Sequence, residues 1–168
     1  MADLDDELAR HHHSAFGWAL ACCRWDRSVA EDVLQTAYLK VIDGRARFAD
    51  HADFRTFLFG VIRRTASEER KRRAIRATLS LGVLGRDHAE PSVPHGVLSS
   101  MIEDEQSQAL VAALQTLSAR QREVLHLVFY QDLTIAASAD VLGISLGSAR
   151  VHYERGKAQL RRILGDES

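Results

Sequence analysis

Apolar residues recur with a helical period over long stretches of this chain. Between residues 29 and 43, one apolar stripe follows Ser28, a residue suited to the N-cap of a helix. The stripe consists of Val33, Leu34, Ala37, Tyr38, Val41 and Ile42. A second periodic stretch runs from residue 53 to residue 76. Alternation typical of strands is not found over any useful length, so the pattern predicts an all-α protein.

The central segment of the chain holds the residues that interrupt helices. Both prolines, Pro91 and Pro94, lie there together with Gly82, Gly85 and Gly96, and the sequence on either side has a helical pattern. We therefore predict two small helical domains joined by a flexible linker. The predicted boundaries are residues 1–77 for the first domain, 78–104 for the linker and 105–168 for the second domain.

Three residues of the first periodic stretch lie off its apolar stripe and share a second face. Asp32, Gln35 and Leu39 are spaced i, i+3 and i+7, so a carboxylate, an amide and an exposed leucine lie together. Two interpretations remain open here. The face is either an ordinary solvated surface with one stray leucine or a surface that docks on another protein.

The second periodic stretch carries basic residues on the side opposite to its apolar stripe. Arg55, Phe59, Arg63 and Arg70 cluster within roughly 80° on that side. An aromatic ring among arginines suits single-stranded nucleic acid, because the ring stacks on an unpaired base while the guanidinium groups hold phosphates. The alternative is that Phe59 packs on another helix and that the arginines are simply solvated.

The C-terminal third of the chain carries the signals of a helix-turn-helix motif. Ser118 and Gln121 have the spacing of a capping box before an apolar-rich helix. Thr134 begins a short helix that ends at Gly143, a residue suited to the left-handed conformation, and Ser145 caps the next helix. This arrangement lets a second helix enter the major groove of DNA, the alternative being a purely structural helical hairpin.

The outer face of that second helix carries the residues that would meet DNA. We predict that Ser148, Val151 and Arg155 lie close to the base edges. Arg150 and Lys157 are predicted to lie nearer the phosphate backbone.

The charge distribution changes the picture that net charge alone would give. The chain is formally −1 at pH 7, which argues against a polyanionic partner. Between Arg63 and Arg76, however, seven basic residues stand against two acidic ones, a local balance of 7 − 2 = +5. A basic segment of this kind is what a nucleic acid meets.

The residues predict neither catalysis nor metal binding nor a membrane span. We find no phosphate-binding glycine loop and no nucleophile with an evident base. Cys22 and Cys23 are adjacent, point about 100° apart on a helix and are expected to be reduced thiols. His11, His12 and His13 point in three directions, which does not suit a shared metal. The N-terminus is acidic and no apolar run reaches roughly 18 residues, so we expect a cytoplasmic protein without a cofactor.

Four segments, in order, carry a family resemblance. They are AEDVLQTAYLKV, FRTFLFGVIRRTASEERKRR, LSARQREVLHLVFYQDLT and VLGISLGSARVHYERGKAQLRRIL. Together they resemble a bacterial sigma factor of the extracytoplasmic-function group, over most of residues 10 to 164. The resemblance implies two domains, called region 2 and region 4. It also implies a protein that is not an enzyme, that binds core RNA polymerase, and that directs it to promoter DNA and helps open the duplex.

The resemblance implies roles for the residues above and one further partner, an anti-sigma factor. Asp32 and Gln35, with Leu39 on the same face, would contact the polymerase. The loop from Gly44 to Asp53 and the helix after it, with Arg55, Phe59, Arg63 and Arg70, would contact the minus-ten element. Residues 145 to 157 would contact the minus-thirty-five element.

The chain departs from the family pattern at several positions, which leaves open the bases that it reads. The departures are Ala137, Ser138 and Ala139, the run from Gly147 to Ala149, His152, and a missing asparagine near Arg64. The alternative function is a helix-turn-helix regulator that does not act as a polymerase subunit. Such a regulator would need a receiver or ligand-binding domain, which the basic N-terminal half does not resemble.

Overall fold

The computed structural model describes residues 2–48, 53–84 and 105–165, and the regular structure within these ranges is helical, which confirms the all-α prediction. The helices are α1 Ala2–Cys22, α2 Arg27–Ile42, α3 Phe54–Leu84, α4 Glu105–Gln115, α5 Ala119–Leu125, α6 Ile135–Leu142 and α7 Leu146–Gly165. A π-helical turn, His126–Tyr130, follows α5 directly. The chain divides into two units, one containing α1 to α3 and the other α4 to α7.

The first unit is a bundle in which each of α1, α2 and α3 contacts the other two. Trp18 of α1 and Phe59 of α3 are the largest fully buried side chains, and Val33, Leu58 and Ile62 are fully buried as well. The indole Nε1 of Trp18 donates a hydrogen bond of 3.0 Å to the carbonyl oxygen of Phe59. The core therefore buries a tryptophan with its polar atom satisfied.

The N-terminus of α2 differs from the prediction. Asp26, not Ser28, is the N-cap, because its carboxylate accepts a hydrogen bond of 3.2 Å from the backbone N–H of Val29. Both residue types suit this position. The turn after α1 decides between them, since the backbone N–H of Asp26 bonds to the carbonyl of Cys23 at 3.1 Å. The predicted stripe is buried or partly buried except at its last member, Ile42, which is exposed.

The C-terminal part of α3 continues into the segment predicted as linker. The sequence predicts the linker from residue 78, whereas α3 runs to Leu84. Residues 71–80 are all exposed, so tertiary packing does not hold this part of the helix. Ion pairs between neighbouring turns contribute to its stability, because Glu69 lies 3.2 Å from Arg72 and 3.1 Å from Arg73. The remainder of the predicted linker lies outside the described residues.

In the second unit, α7 contacts α4, α5 and α6. Gly156 allows α5 to approach closely, since a Cβ atom there would lie 2.9 Å from Cδ1 of Leu125. At the start of α5, the hydroxyl of Ser118 accepts from the N–H of Gln121, and the amide oxygen of Gln121 accepts from the N–H of Ser118. The predicted capping box is therefore confirmed.

Candidate functional site

The helices α6 and α7 and the turn between them have helix-turn-helix geometry. Thr134 caps α6 by accepting a hydrogen bond of 3.0 Å from the N–H of Ala137. Gly143 ends α6 in the left-handed conformation, with φ 64° and ψ 35°. Ser145 accepts a hydrogen bond of 3.1 Å from the N–H of Ser148 and so caps α7. All three predicted cap positions are confirmed.

The N-terminal half of α7 presents one exposed face. Ala149 and Gly156 are buried against the rest of the unit. The exposed residues of this half are Leu146, Gly147, Ser148, Arg150, Val151, Glu154 and Arg155. The outward direction predicted for Ser148, Arg150, Val151 and Arg155 agrees with the structure. Their contacts with bases and phosphates stay predictions.

Lys157 differs from the other predicted residues because it is only partly exposed. Its Nζ lies 4.7 Å from the centroid of the Tyr153 ring, a cation–π distance. The Tyr153 ring in turn stacks on Phe129 with centroids 5.9 Å apart. Phe129 and its neighbour Tyr130 are exposed in the π-helical turn. The apolar pattern of the sequence did not predict this aromatic flank, because a π turn breaks the 3.6-residue spacing of an α-helix.

His126, the first residue of the π-helical turn, contributes packing rather than charge at neutral pH. Burial lowers the pKa of His126 to about 4. Its Nε2 lies 3.3 Å from Nε2 of Gln131, and its ring stacks on Tyr130 with centroids 4.9 Å apart.

The face of α2 that carries Asp32, Gln35 and Leu39 is exposed, as the spacing predicts. Leu39 has a relative accessibility of 48%, although it is a large apolar residue. Gln35 and Leu39 also line a groove of about 400 Å³ whose other side includes His12 and Phe16 of α1. The structure thus adds α1 side chains to a face that the sequence attributed to α2 alone.

The prediction that Phe59 lies on a wet face is wrong. Its relative accessibility is 0%, and its ring stacks on Trp18 with centroids 6.1 Å apart. The physical reason is that α3 packs against both α1 and α2, so its buried surface is wider than one stripe. An unpaired base cannot reach this ring, and Phe59 is removed from the nucleic-acid site.

The three arginines predicted beside Phe59 do not form one cluster. Arg55 and Arg63 are partly buried near the start and middle of α3, and the Arg55 guanidinium lies 6.0 Å from the Phe59 ring centroid. Arg70 is exposed and lies roughly 22 Å from Arg55 along the helix axis. Its Nη2 donates a hydrogen bond of 3.3 Å to the carbonyl of Cys22, which places Arg70 at the C-terminal end of α1.

Positive charge is densest on α3 beyond Glu69. The carboxylate of Glu69 pairs with Arg72 and Arg73 and lies 3.6 Å from Arg76. One negative charge is therefore shared among three guanidinium groups, and Lys71 is exposed beside them. The positive balance predicted from the sequence lies on the surface, where a polyanion can reach it.

A second groove, of about 240 Å³, lies between α2 and α3. Within it, Nζ of Lys40 donates hydrogen bonds of 2.6 Å to Glu68 and 3.1 Å to Thr65. The other lining residues are Arg45, Ala46, Val61 and Arg64. The loop from residue 44 to residue 53, predicted to contact the minus-ten element, begins here. Residues 49–52 of that loop lie outside the described residues.

Within the described ranges, no three His, Cys, Asp or Glu side chains are grouped so that they could hold a metal ion. The neighbouring histidines take different partners, since His11 lies 3.5 Å from Glu7 while Nδ1 of His12 lies 3.0 Å from the hydroxyl of Tyr38. Among the described helices, none is long and apolar enough to cross a membrane.

A basic helical bundle and a helix-turn-helix unit in one chain define a two-domain DNA-binding protein of transcription. Residues 8–75 match the family Sigma-70 region 2, and residues 113–162 match Sigma-70, region 4. The chain belongs to the extracytoplasmic-function sigma factors. It binds RNA polymerase and directs promoter-specific transcription.

Individual relatives agree with this assignment. The chain is 27% identical over 163 residues to the RNA polymerase sigma factor CarQ of Myxococcus xanthus, covering 96% of this chain and 89% of CarQ. It is 27% identical over 164 residues to the ECF RNA polymerase sigma factor SigM of Mycobacterium tuberculosis, covering 95% of this chain and 76% of SigM. Its fold is similar to that of the sigma factor RpoE of Bartonella quintana, solved in complex with the anti-sigma factor NepR, with a TM-score of 0.74, 21% identity and 98% of each chain covered.

Proposed function

We propose that residues 1–77 bind core RNA polymerase and the minus-ten element, that residues 105–168 bind the minus-thirty-five element, and that residues 78–104 connect the two. The observation that carries this proposal is the exposed, capped N-terminal half of α7 on a helix-turn-helix scaffold. A helix held in this way reads duplex DNA, while the basic bundle supplies surfaces for polymerase and separated strands. The chain acts as a specificity subunit in the cytoplasm and catalyses no reaction of its own.

Polymerase docking is assigned to Asp32, Gln35 and Leu39. Support comes from their exposure, since none of the three is needed by the core of the first unit. The adjoining groove, with Phe16 and His12 on its α1 side, offers further apolar and polar surface to the same partner. A protein interface of this kind combines a desolvated apolar contact with a polar rim.

The docking assignment is tested with a double substitution, Asp32→Arg with Gln35→Ala. It is expected to weaken binding to core polymerase at least about tenfold while leaving helicity and thermal stability nearly unchanged. Asp6→Arg is the matched control, because it reverses the charge of an exposed acid of α1 that does not line the adjoining groove. Unaltered affinity for core polymerase in the double variant would remove the assignment.

Contact with the minus-ten element is assigned to the loop from residue 44 to residue 53 and to Arg55, Arg63 and Arg70. The basic surface of α3 and the groove that holds Lys40 support this assignment. Contact with the minus-thirty-five element is assigned to α7, with Ser148, Val151 and Arg155 at the bases. Arg150 and Lys157 are assigned to phosphates, Lys157 from the flank of the exposed face.

An anti-sigma factor is a second protein partner in this proposal. The similar sigma factor RpoE was solved in complex with one, which supports the same kind of regulation here. An anti-sigma factor that covered the face of Asp32, Gln35 and Leu39 would exclude core polymerase, so we expect the two to compete for this chain.

Run-off transcription with core polymerase on a promoter library tests the function as a whole. Transcripts that require this chain, and that share sequence at two upstream elements, are the expected result. A duplex-binding protein that never copurifies with polymerase and supports no run-off would instead be a helix-turn-helix regulator.

A further inference from the structure

The turn between α1 and α2 displays an exposed tryptophan on a strained backbone. Arg24 and Trp25 are consecutive non-glycine residues with positive φ, 52° and 63°. Side chains other than glycine adopt this region at a cost, and such strain is found most often at functional positions. The left-handed residues end α1, because the backbone N–H of Trp25 bonds to the carbonyl of Leu20 at 2.8 Å. The ring of Trp25 is exposed, with a relative accessibility of 42%.

The same corner of the first unit is rich in arginine. Arg70 reaches it from α3 and bonds to the carbonyl of Cys22, at the last residue of α1. Burial raises the pKa of Cys23 to about 11, while the positive charges of Arg70 and Arg73 oppose that rise and the negative charges of Asp26 and Glu69 add to it. Arg73 lies about one turn beyond Arg70 on α3. Arg24 is exposed beside Trp25.

Acidic residues cancel part of this charge. Asp26, which caps α2, keeps one negative charge at the turn. Glu69 cancels one of the three positive charges of Arg72, Arg73 and Arg76, which share it. The corner is therefore an exposed aromatic ring within a positively charged surface, which is the composition that single-stranded nucleic acid requires.

We propose that Trp25 stacks on an unpaired base of the opened promoter, while Arg24, Arg70 and Arg73 hold the adjoining phosphates. The inference rests on the proposed role of the first unit in strand opening and assigns to Trp25 the function that Phe59 cannot perform. The excess of positive charge at this corner favours nucleic acid over a protein partner, because phosphates pair with guanidinium groups while the exposed ring offers a face to a base.

The two tryptophans of the chain make the test direct. Trp18 is fully buried and hydrogen-bonded, so only the emission of Trp25 can respond to a base stacked on the surface. The full chain is titrated with a short single-stranded oligonucleotide that carries a fluorescent label. Anisotropy of the label reports binding, and tryptophan emission reports stacking.

Two substitutions separate the ring from the backbone. Trp25→Gly removes the ring and suits the positive φ, so stability is expected to be kept. It is expected to weaken oligonucleotide binding roughly 5- to 100-fold, the range for one stacked base. Trp25→Phe keeps an aromatic face and is expected to bind within about threefold of the wild type, without the quenching that the wild type shows. Leu110→Ala, which removes an equally exposed apolar side chain from the other unit, is the control and is expected to bind normally.

The outcomes distinguish this inference from the function on which it rests. Equal oligonucleotide binding by the wild type and Trp25→Gly, or binding without any change in tryptophan emission, overturns the role of Trp25. If Trp25→Gly instead lowers only the affinity for core polymerase, the ring is a protein contact and the inference is wrong. Absence of run-off transcription with the wild-type chain refutes the proposed function itself.

Discussion

Substitution of Phe59 tests the packing of the bundle. A ring that faces DNA and a ring that is buried in the core predict opposite effects on stability. If the ring faced DNA, Phe59→Ala would leave the folded state almost unchanged. In the structure the ring is fully buried and stacked on Trp18, so its removal leaves a cavity at the centre of three helices. The expected effect is therefore on the free energy of unfolding.

The magnitude follows from the contacts. Truncation of a buried phenylalanine to alanine costs about 3 to 5 kcal/mol, and the lost stacking on Trp18 belongs to that sum. A small domain has a total stability of roughly 5 to 15 kcal/mol, and a three-helix unit lies toward the lower limit. Phe59→Ala is thus expected to bring the first unit close to unfolding, whereas Phe59→Leu refills much of the space and is expected to cost roughly 1 to 2 kcal/mol.

Tryptophan fluorescence during urea unfolding is the suitable assay, because both tryptophans, Trp18 and Trp25, lie in the first unit. The signal therefore excludes the second unit, whose separate unfolding would complicate a helicity measurement. Ile75→Ala, at an exposed position of α3, is the control and is expected to change stability by less than about 0.5 kcal/mol. A loss below about 1 kcal/mol for Phe59→Ala, together with a defect in strand opening, would refute the buried placement.

Three further expectations concern the second unit. Arg150→Ala should weaken binding to all duplexes alike and lower the slope of log binding constant against log salt concentration by about one. Arg155→Ala should instead reduce discrimination at individual base pairs by roughly 1 to 3 kcal/mol. Selection of binding sites from random DNA at low and high salt distinguishes the two results. Burial holds the pKa of His126 near 4, below its ordinary 6.5, so the unfolded state takes up the proton first as pH falls. About 3 kcal/mol of stability, present above pH 6.5, should be lost between pH 6.5 and 4, and His126→Leu should lack this part of the pH dependence in urea titrations. Gly143→Ala should lower the free energy of unfolding by about 1 to 2 kcal/mol, because φ at this position is 64°. Gly147→Ala, inside α7, should raise it by up to about 1 kcal/mol. Melting temperatures that shift in the same direction for both variants would contradict the turn geometry.

The helix-turn-helix unit could be predicted closely because its signals are local. Ser118, Thr134 and Ser145 each cap a helix through a bond to a backbone N–H three residues further along the chain. Gly143 supplies a backbone conformation that other residues adopt with difficulty. Capping hydrogen bonds can be predicted from a single sequence, because the two residues of each bond lie at a fixed spacing along the chain.

The bundle was harder to predict because its contacts join residues distant in sequence. A single apolar stripe on α3 assumes one neighbouring helix, whereas α3 has two neighbours and buries Phe59 beside the stripe. Arg70 likewise meets Cys22 across 48 positions of sequence, which no helical period indicates. The sequence shows that the first unit contains aromatic and basic residues. It does not show which of them share a surface, because the tertiary fold decides that.

The exposed C-terminal part of α3 was also missed by the apolar pattern, here because a helix forms without a neighbour to pack on. Periodicity weakens after residue 76 because no neighbouring helix covers this part of α3, and the sequence pattern therefore suggested that the helix stops. Favourably spaced charges add to the stability of a helix that has no buried face, and Glu69 pairs with arginines three and four residues later. The cationic side chains that remain lie on an exposed helix instead of in the predicted linker. Because a helix fixes the backbone before binding, phosphate contacts made by its arginines would cost less backbone entropy than the same contacts made from a coil.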